Sequence, residues 1–231
     1  MDQLLVALDV DTADEARALA ARLRGVVGGF KVGSRLFTSH GPSIVEELVS
    51  HGDRVFLDLK FHDIPNTVAG AVRSAAALGV HMITIHAGGG PAMLSAARAA
   101  LAGVASPPEL LAVTVLTSMD AEQLAAVGVE SAPMEQAQTL ALAGRAAGLR
   151  GFVCSPREVA MLRALTGPEG VLVIPGIRPA GAETGDQRRI ATPADALRLG
   201  ASYLVVGRPI TQAPNPAAAA EAILQEMATA L

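Results

Sequence analysis

The chain of 231 residues has one cysteine, Cys154, no tryptophan, one tyrosine and only two lysines. A single cysteine excludes an internal disulfide and a cysteine-rich metal cluster, and fits a reducing, cytoplasmic setting. No block of basic residues occurs and the net charge is −4, so nothing offers a footprint for nucleic acid or an anionic membrane. The longest apolar runs are strand-sized, too short to span a bilayer, and the N-terminus lacks the basic and apolar regions of a secretory signal. No linker, low-complexity stretch or long-period repeat divides the chain. Residues 1–231 are therefore expected to form one domain.

The shortage of lysine is the most informative of these absences. Sixteen arginines meet nearly every need for positive charge, against Lys31 and Lys60. A codon-biased, alanine- and arginine-rich genome explains why lysine is rare, but not where the two survivors sit. Lysine carries a compact ammonium that can give up and retake a proton, which arginine does not readily do. Both lysines fall near the ends of apolar runs, where such chemistry could be wanted.

What is present is alternation. Strand-like runs at 4–10, 29–33, 54–60, 81–87, 110–116, 151–154, 171–177 and 203–208 are separated by amphipathic segments at 13–24, 42–51, 66–78, 91–101, 134–147, 156–165, 193–199 and 216–230. The runs are almost continuously apolar, as parallel strands covered by helices should be. Eight such units predict a single (β/α)8 barrel. The alternative, a doubly wound open sheet, usually has a glycine-rich turn after its first strand. Here that strand leads into "ALDVDTADEA", which has none.

In a barrel, chemistry gathers at the C-terminal strand ends. Read in order, those ends offer Asp9, Lys31, Asp58 with Lys60, His86, Thr117 with Ser118, the stretch Pro175 to Arg178, and Gly207 with Arg208. In "FLDLKFHDIPNT" (56–67), Asp58 and Lys60 stand two apart and so point to one face of the strand. Lys31 can flank Asp58 and Asp63 can flank Lys60, giving an alternating Lys–Asp–Lys–Asp array. A structural ion-pair network is the plainer reading of the same residues. At the seventh and eighth strand ends, where these barrels often bind phosphate, "VVGRP" places Gly207 and Arg208 after the last strand. Arg178 and Gln187 lie on the adjacent long segment 177–190, which is expected to form a lid.

Other candidates carry less. His40 and His51 fall on helix-side segments, and His81 begins a strand at the far end of the barrel. His62 and His86 lie near the mouth, but a zinc site needs three or four ligands in consistent geometry. His62 is expected to orient its loop. Cys154 has no evident His–Asp partner and reads as a buried structural thiol.

These motifs together resemble a known family. "DLKFHDIPNT" (58–67) is similar to the signature of the orotidine 5′-phosphate decarboxylase family. "ALD" (7–9), "FKVG" (30–33), "VTVLTSM" (113–119), "PGIRPAG…GDQRR" (175–189) and "VVGRPI" (205–210) follow in the same order, in a form resembling the bacterial branch. The resemblance covers essentially the whole chain. It implies a homodimeric (β/α)8 barrel that converts orotidine 5′-monophosphate to uridine 5′-monophosphate and CO2 without metal or organic cofactor.

Carried over residue by residue, the resemblance makes Lys60 the proton donor to C6. Asp58 stands beside the substrate carboxylate, and Lys31 holds Asp58 and the ribose. Asp63 and Thr67 reach across the dimer, so that active sites are shared. Asp9 and Thr67 contact the ribose region, and Ile64 joins the substrate-binding set. Thr117 and Ser118 are alternatives for the main pyrimidine contact. Arg178, Gln187, Gly207 and Arg208 hold the phosphate. Asp58-x-Lys60-x-x-Asp63 also occurs in the magnesium-dependent 3-keto-gulonate 6-phosphate decarboxylases and hexulose-phosphate synthases, which typically have an acid where this chain has Lys31. A non-catalytic sensor of a phosphate ligand is the reading from another class.

Overall fold

The computed structural model describes residues 2–179 and 191–230. These form a closed barrel of parallel strands in sequence order: β1 (Leu4–Ala7), β2 (Gly29–Gly33), β3 (Val55–Phe61), β4 (Met82–His86), β5 (Glu109–Val113), β6 (Gly151–Val153), β7 (Val171–Ile174) and β8 (Tyr203–Val206). The first half carries helices α1 (Ala13–Leu23), α2 (Ser34–His40), α3 (Ser43–Ser50), α4 (Pro65–Ala77) and α5 (Gly90–Ala99). The second half carries α6 (Ala121–Ala126), α7 (Pro133–Ala146), α8 (Val159–Thr166), α9 (Pro193–Arg198), α10 (Arg208–Thr211) and α11 (Pro216–Ala228). Among the described residues no helix is long and apolar enough to cross a membrane.

Strand alternation sorts the core into two layers. Leu5, Ala7, Phe56, Met82, Leu111, Val113, Val153, Val173 and Val205 fill the barrel. Their strand neighbours, such as Leu4, Leu57, Ile83 and Leu204, face outward into the larger layer under the helices. Helix α1 shows how that layer is built. Thr12 Oγ1 accepts the Glu15 N–H and Glu15 accepts the Thr12 N–H, both at 3.2 Å. This capping box starts the helix, and Ala16, Ala20 and Leu23 then form its buried stripe.

Three expected strands end three residues early. The runs 4–10, 110–116 and 171–177 leave the ladder after Ala7, Val113 and Ile174. Asp9, Val115, Leu116, Pro175 and Gly176 become walls of the barrel mouth instead. Pro175 has no N–H for a ladder, and Gly176 turns the chain at φ 75°. The segment expected as a helix at 156–165 begins with a 3-10 turn, Pro156–Glu158, before α8. Three short helices were not expected. In α2 only Leu36 is buried, so no apolar period marks it, and α10 spans a single turn. Helix α6 did have a legible start: Asp120 stands three residues before Gln123 and accepts its N–H at 3.0 Å.

Candidate active site

The C-terminal mouth of the barrel holds a cavity of about 510 Å³. Ala7, Phe56, Val113, Val153 and Val205, the upper part of the barrel filling, make an apolar floor. Asp9, Lys31, Asp58 and Lys60 line it from the ends of β1 to β3, Thr117 and Ser118 from beyond β5, and Arg178 and Arg208 from beyond β7 and β8. A smaller cavity of about 310 Å³ lies near the starts of β5 and β6, where Arg150 and Glu109 already pair at 2.6 Å.

The first four of these charges form a chain. Lys31 Nζ donates to Asp9 Oδ1 at 2.9 Å and lies 3.8 Å from Asp58 Oδ2. Lys60 Nζ donates to both Asp58 oxygens, at 2.9 and 2.8 Å. Side-chain exposure is 11% for Lys31 and 12% for Asp58, against 36% for Lys60. The ammonium that faces the cavity is thus held by a carboxylate sunk in the wall. Gly33 packs against this inner pair: a Cβ there would lie 2.8 Å from Lys31 Nζ and 3.1 Å from Asp9 Oδ1, so the flexible lysine end would have to shift. Removing such charges from water is unfavourable unless each is paired. An ion-pair chain lining a cavity is therefore weak evidence for stability and better evidence for a site.

The backbone is unusual where this chain ends. Lys60 has φ 50°, the sole positive φ at a non-glycine residue among the described residues. A side chain in this region costs about 1–2 kcal/mol and must be held there by its surroundings. The β3–β4 register explains its place. Leu57 pairs with Ile83 and Phe61 with Ile85, so β3 advances four residues while β4 advances two.

The expected array is only partly assembled within one chain. Lys31, Asp58 and Lys60 come together, with Asp9 as the further member. Asp63 is exposed, accepts the N–H of its own neighbour Ile64 at 2.6 Å, and forms no ion pair with Lys60 among the described residues. Ile64, 67% exposed, and Thr67 also lie outside the cavity lining. Gln187 and most of the expected lid lie outside the described residues.

Several lining residues had escaped the sequence reading. Arg35 enters from α2, its guanidinium paired with Asp11 and donating to the Asp9 carbonyl at 3.3 Å. Thr211 and Gln212 follow Arg208 by three and four residues, and that helical spacing was the signal for them. Cys154 is buried, as expected of a structural thiol, yet it also lines the cavity. Thr84, fully buried behind the wall, bonds both Asp58 and the Lys60 backbone.

His62 and His86 stack, with ring centroids 5.1 Å apart. Burial lowers the His86 pKa, and the neighbouring His62 and Lys60 lower it further. The neutral ring then accepts the Gly88 N–H at Nδ1, 3.2 Å away, which leaves the proton on Nε2. No group of three or more His, Cys, Asp or Glu is arranged to hold a metal among the described residues.

Comparison with known proteins gives a consistent result. The model of the orotidine 5′-phosphate decarboxylase / HUMPS family matches residues 2–223. An orotidine 5′-phosphate decarboxylase of Moorella thermoacetica is 54% identical over 98% of this chain and 92% of its own length. That of Saccharophagus degradans is 52% identical over 99% of this chain and 96% of its own. The crystal structure of orotidine 5′-phosphate decarboxylase from Lactobacillus acidophilus superposes with a TM-score of 0.84. It is 38% identical and covers 97% of this chain and 98% of that one.

Proposed function

The chain belongs to the orotidine 5′-phosphate decarboxylase / HUMPS family, and we propose that it decarboxylates orotidine 5′-monophosphate with Lys60 as proton donor. The reaction is orotidine 5′-monophosphate plus a proton to uridine 5′-monophosphate plus CO2, the last step of de novo uridine 5′-monophosphate synthesis. The observation that carries the residue assignment is the Lys60 ammonium, held bidentately by Asp58 at the edge of an apolar floor.

The chemistry follows from the charge that develops. The bond between C6 and the carboxylate breaks and its electron pair stays on C6. The ring delocalises that pair poorly, so a fixed positive charge beside C6 lowers the barrier. Lys60 provides that charge, then transfers a proton from Nζ to C6, and the resulting amine recovers a proton from solvent. Asp58 aims Nζ and stands next to the departing carboxylate. Lys31 holds Asp58 and, with Asp9, meets the ribose. Thr117 or Ser118 meets the pyrimidine. Arg178, Gln187, Gly207 and Arg208 take the phosphate, whose binding energy aligns C6 with Lys60.

The protein acts as a homodimer in which Asp63 and Thr67 complete the partner's site and the exposed Ile64 is covered. It works in the cytoplasm, a place consistent with a single cysteine and a nucleotide substrate. The magnesium-dependent alternative is disfavoured by Lys31, whose ammonium already lies between the Asp9 and Asp58 carboxylates.

The deciding experiment follows the absorbance of orotidine 5′-monophosphate with and without a chelator. Loss of the substrate band at the same rate in both is expected. Loss abolished by the chelator would favour the metal-dependent reading. Tight uridine 5′-monophosphate binding without any turnover would favour a sensor.

The phosphate assignment has its own test. A charge-assisted hydrogen bond is worth about 1.5–3 kcal/mol, so Arg208→Ala is expected to raise KM by roughly 10- to 100-fold. At saturating substrate residual activity should remain, because Lys60 and Asp58 are untouched. A variant with parental KM would remove Arg208 from the phosphate site.

A further inference from the structure

We propose that Thr84 is a positioning residue for this decarboxylation, using its hydroxyl to couple the strained Lys60 backbone to the orientation of Asp58. The proposal rests on the functional reading above. It begins from the register shift in β3. Between the Leu57–Ile83 and Phe61–Ile85 pairs, residues 58 to 60 leave the β3–β4 ladder, so the Lys60 N–H needs another acceptor. It finds Thr84 Oγ1 at 2.9 Å.

Hydrogen counting fixes the direction of the next bond. A backbone N–H only donates, so Thr84 Oγ1 accepts there and its single hydrogen is free to go elsewhere. It goes to Asp58 Oδ1 at 3.0 Å. The same oxygen accepts from Lys60 Nζ at 2.9 Å. The result is a closed ring: Lys60 N–H to Thr84, Thr84 to Asp58, and Lys60 ammonium back to Asp58. Both ends of one lysine are thereby referred to one hydroxyl. Thr84 is fully buried and does not line the cavity, so it acts through Asp58 and Lys60 rather than on substrate.

Thr84→Val keeps the shape and removes the ring. The Lys60 N–H loses its acceptor and Asp58 loses a donor, while φ 50° at Lys60 loses one of the contacts that hold it. Displacing a reacting group by about 1 Å can slow a reaction about 100-fold.

The test measures kcat and KM for orotidine 5′-monophosphate in the parent, Thr84→Val, Thr84→Ala and Thr84→Ser, with thermal unfolding of each. The valine and alanine variants are expected to lose roughly 10- to 100-fold in kcat with KM within about twofold of the parent. Serine, which keeps the hydroxyl, is expected to restore kcat to within about threefold. A merely structural threonine would lower the unfolding temperature but leave kcat per folded site and its serine rescue unmoved. The proposal is overturned by a valine variant with parental kcat, by equal losses in valine and serine, or by valine and alanine variants that both fail to fold. A parent with no turnover would overturn the functional reading and this proposal together, whereas an active parent beside an unimpaired valine variant would overturn this proposal alone.

Discussion

Lys60→Ala is expected to cut kcat by roughly 10⁴-fold or more, since one substitution removes both the charge beside C6 and the proton donor. The barrel should survive. Asp58 is left without Lys60 but still has the Thr84 hydroxyl at 3.0 Å and Lys31 at 3.8 Å, so it is not an uncompensated buried charge. Uridine 5′-monophosphate should bind, because Arg178 and Arg208, which also line the cavity, are untouched. Calorimetric titration checks binding, and the absorbance assay checks turnover. A variant that keeps turnover within about tenfold of the parent would remove Lys60 from the proposed role.

Lys60→Arg separates charge from proton transfer. The guanidinium remains charged at any working pH and does not give up a proton readily. It is also larger and planar, so it cannot reproduce a compact ammonium between both oxygens of Asp58. The arginine variant is expected to be as inactive in turnover as the alanine variant. Substantial activity in the arginine variant would mean that positive charge alone suffices and that the proton comes from elsewhere.

Much of this site was legible because strand periodicity is a short-range rule. Asp58 and Lys60 differ by two positions, and the fold brings them to one place even though β3 is shifted in register between them. The (β/α)8 order followed from apolar runs at regular spacing, and it agrees with the closed strand order of the barrel. The register shift itself was not legible, because it depends on how β3 and β4 pair and leaves no mark on composition. Thr84 was missed for the same reason. A threonine in an apolar strand reads as an ordinary β-former, and its role exists only once the displaced Lys60 N–H is opposite it. Arg35 belongs to α2, a helix with a single buried apolar residue and hence no period to find.

The second large effect concerns Asp63. Within one chain its carboxylate bonds the adjacent Ile64 N–H and makes no ion pair with Lys60 among the described residues. It lies on an exposed stretch that ends in the 67% exposed Ile64 just before α4. A charged residue and a large apolar one, both turned outward at the rim, fit a surface that meets a second copy across a two-fold axis. If Asp63 completes the partner's site, Asp63→Ala and Lys60→Ala should each be nearly inactive alone yet complement one another. In a mixed dimer one site carries both lesions and the other carries neither. Random exchange of equal amounts makes about half the dimers mixed, so about a quarter of parental activity should return. The residual activity of Asp63→Ala alone is measured first and subtracted, and exchange is verified with differently tagged chains. If Asp63 instead serves its own chain, every site in the mixed dimer keeps one lesion. Activity would then stay at the mean of the two separate variants, and the shared site would have to be abandoned.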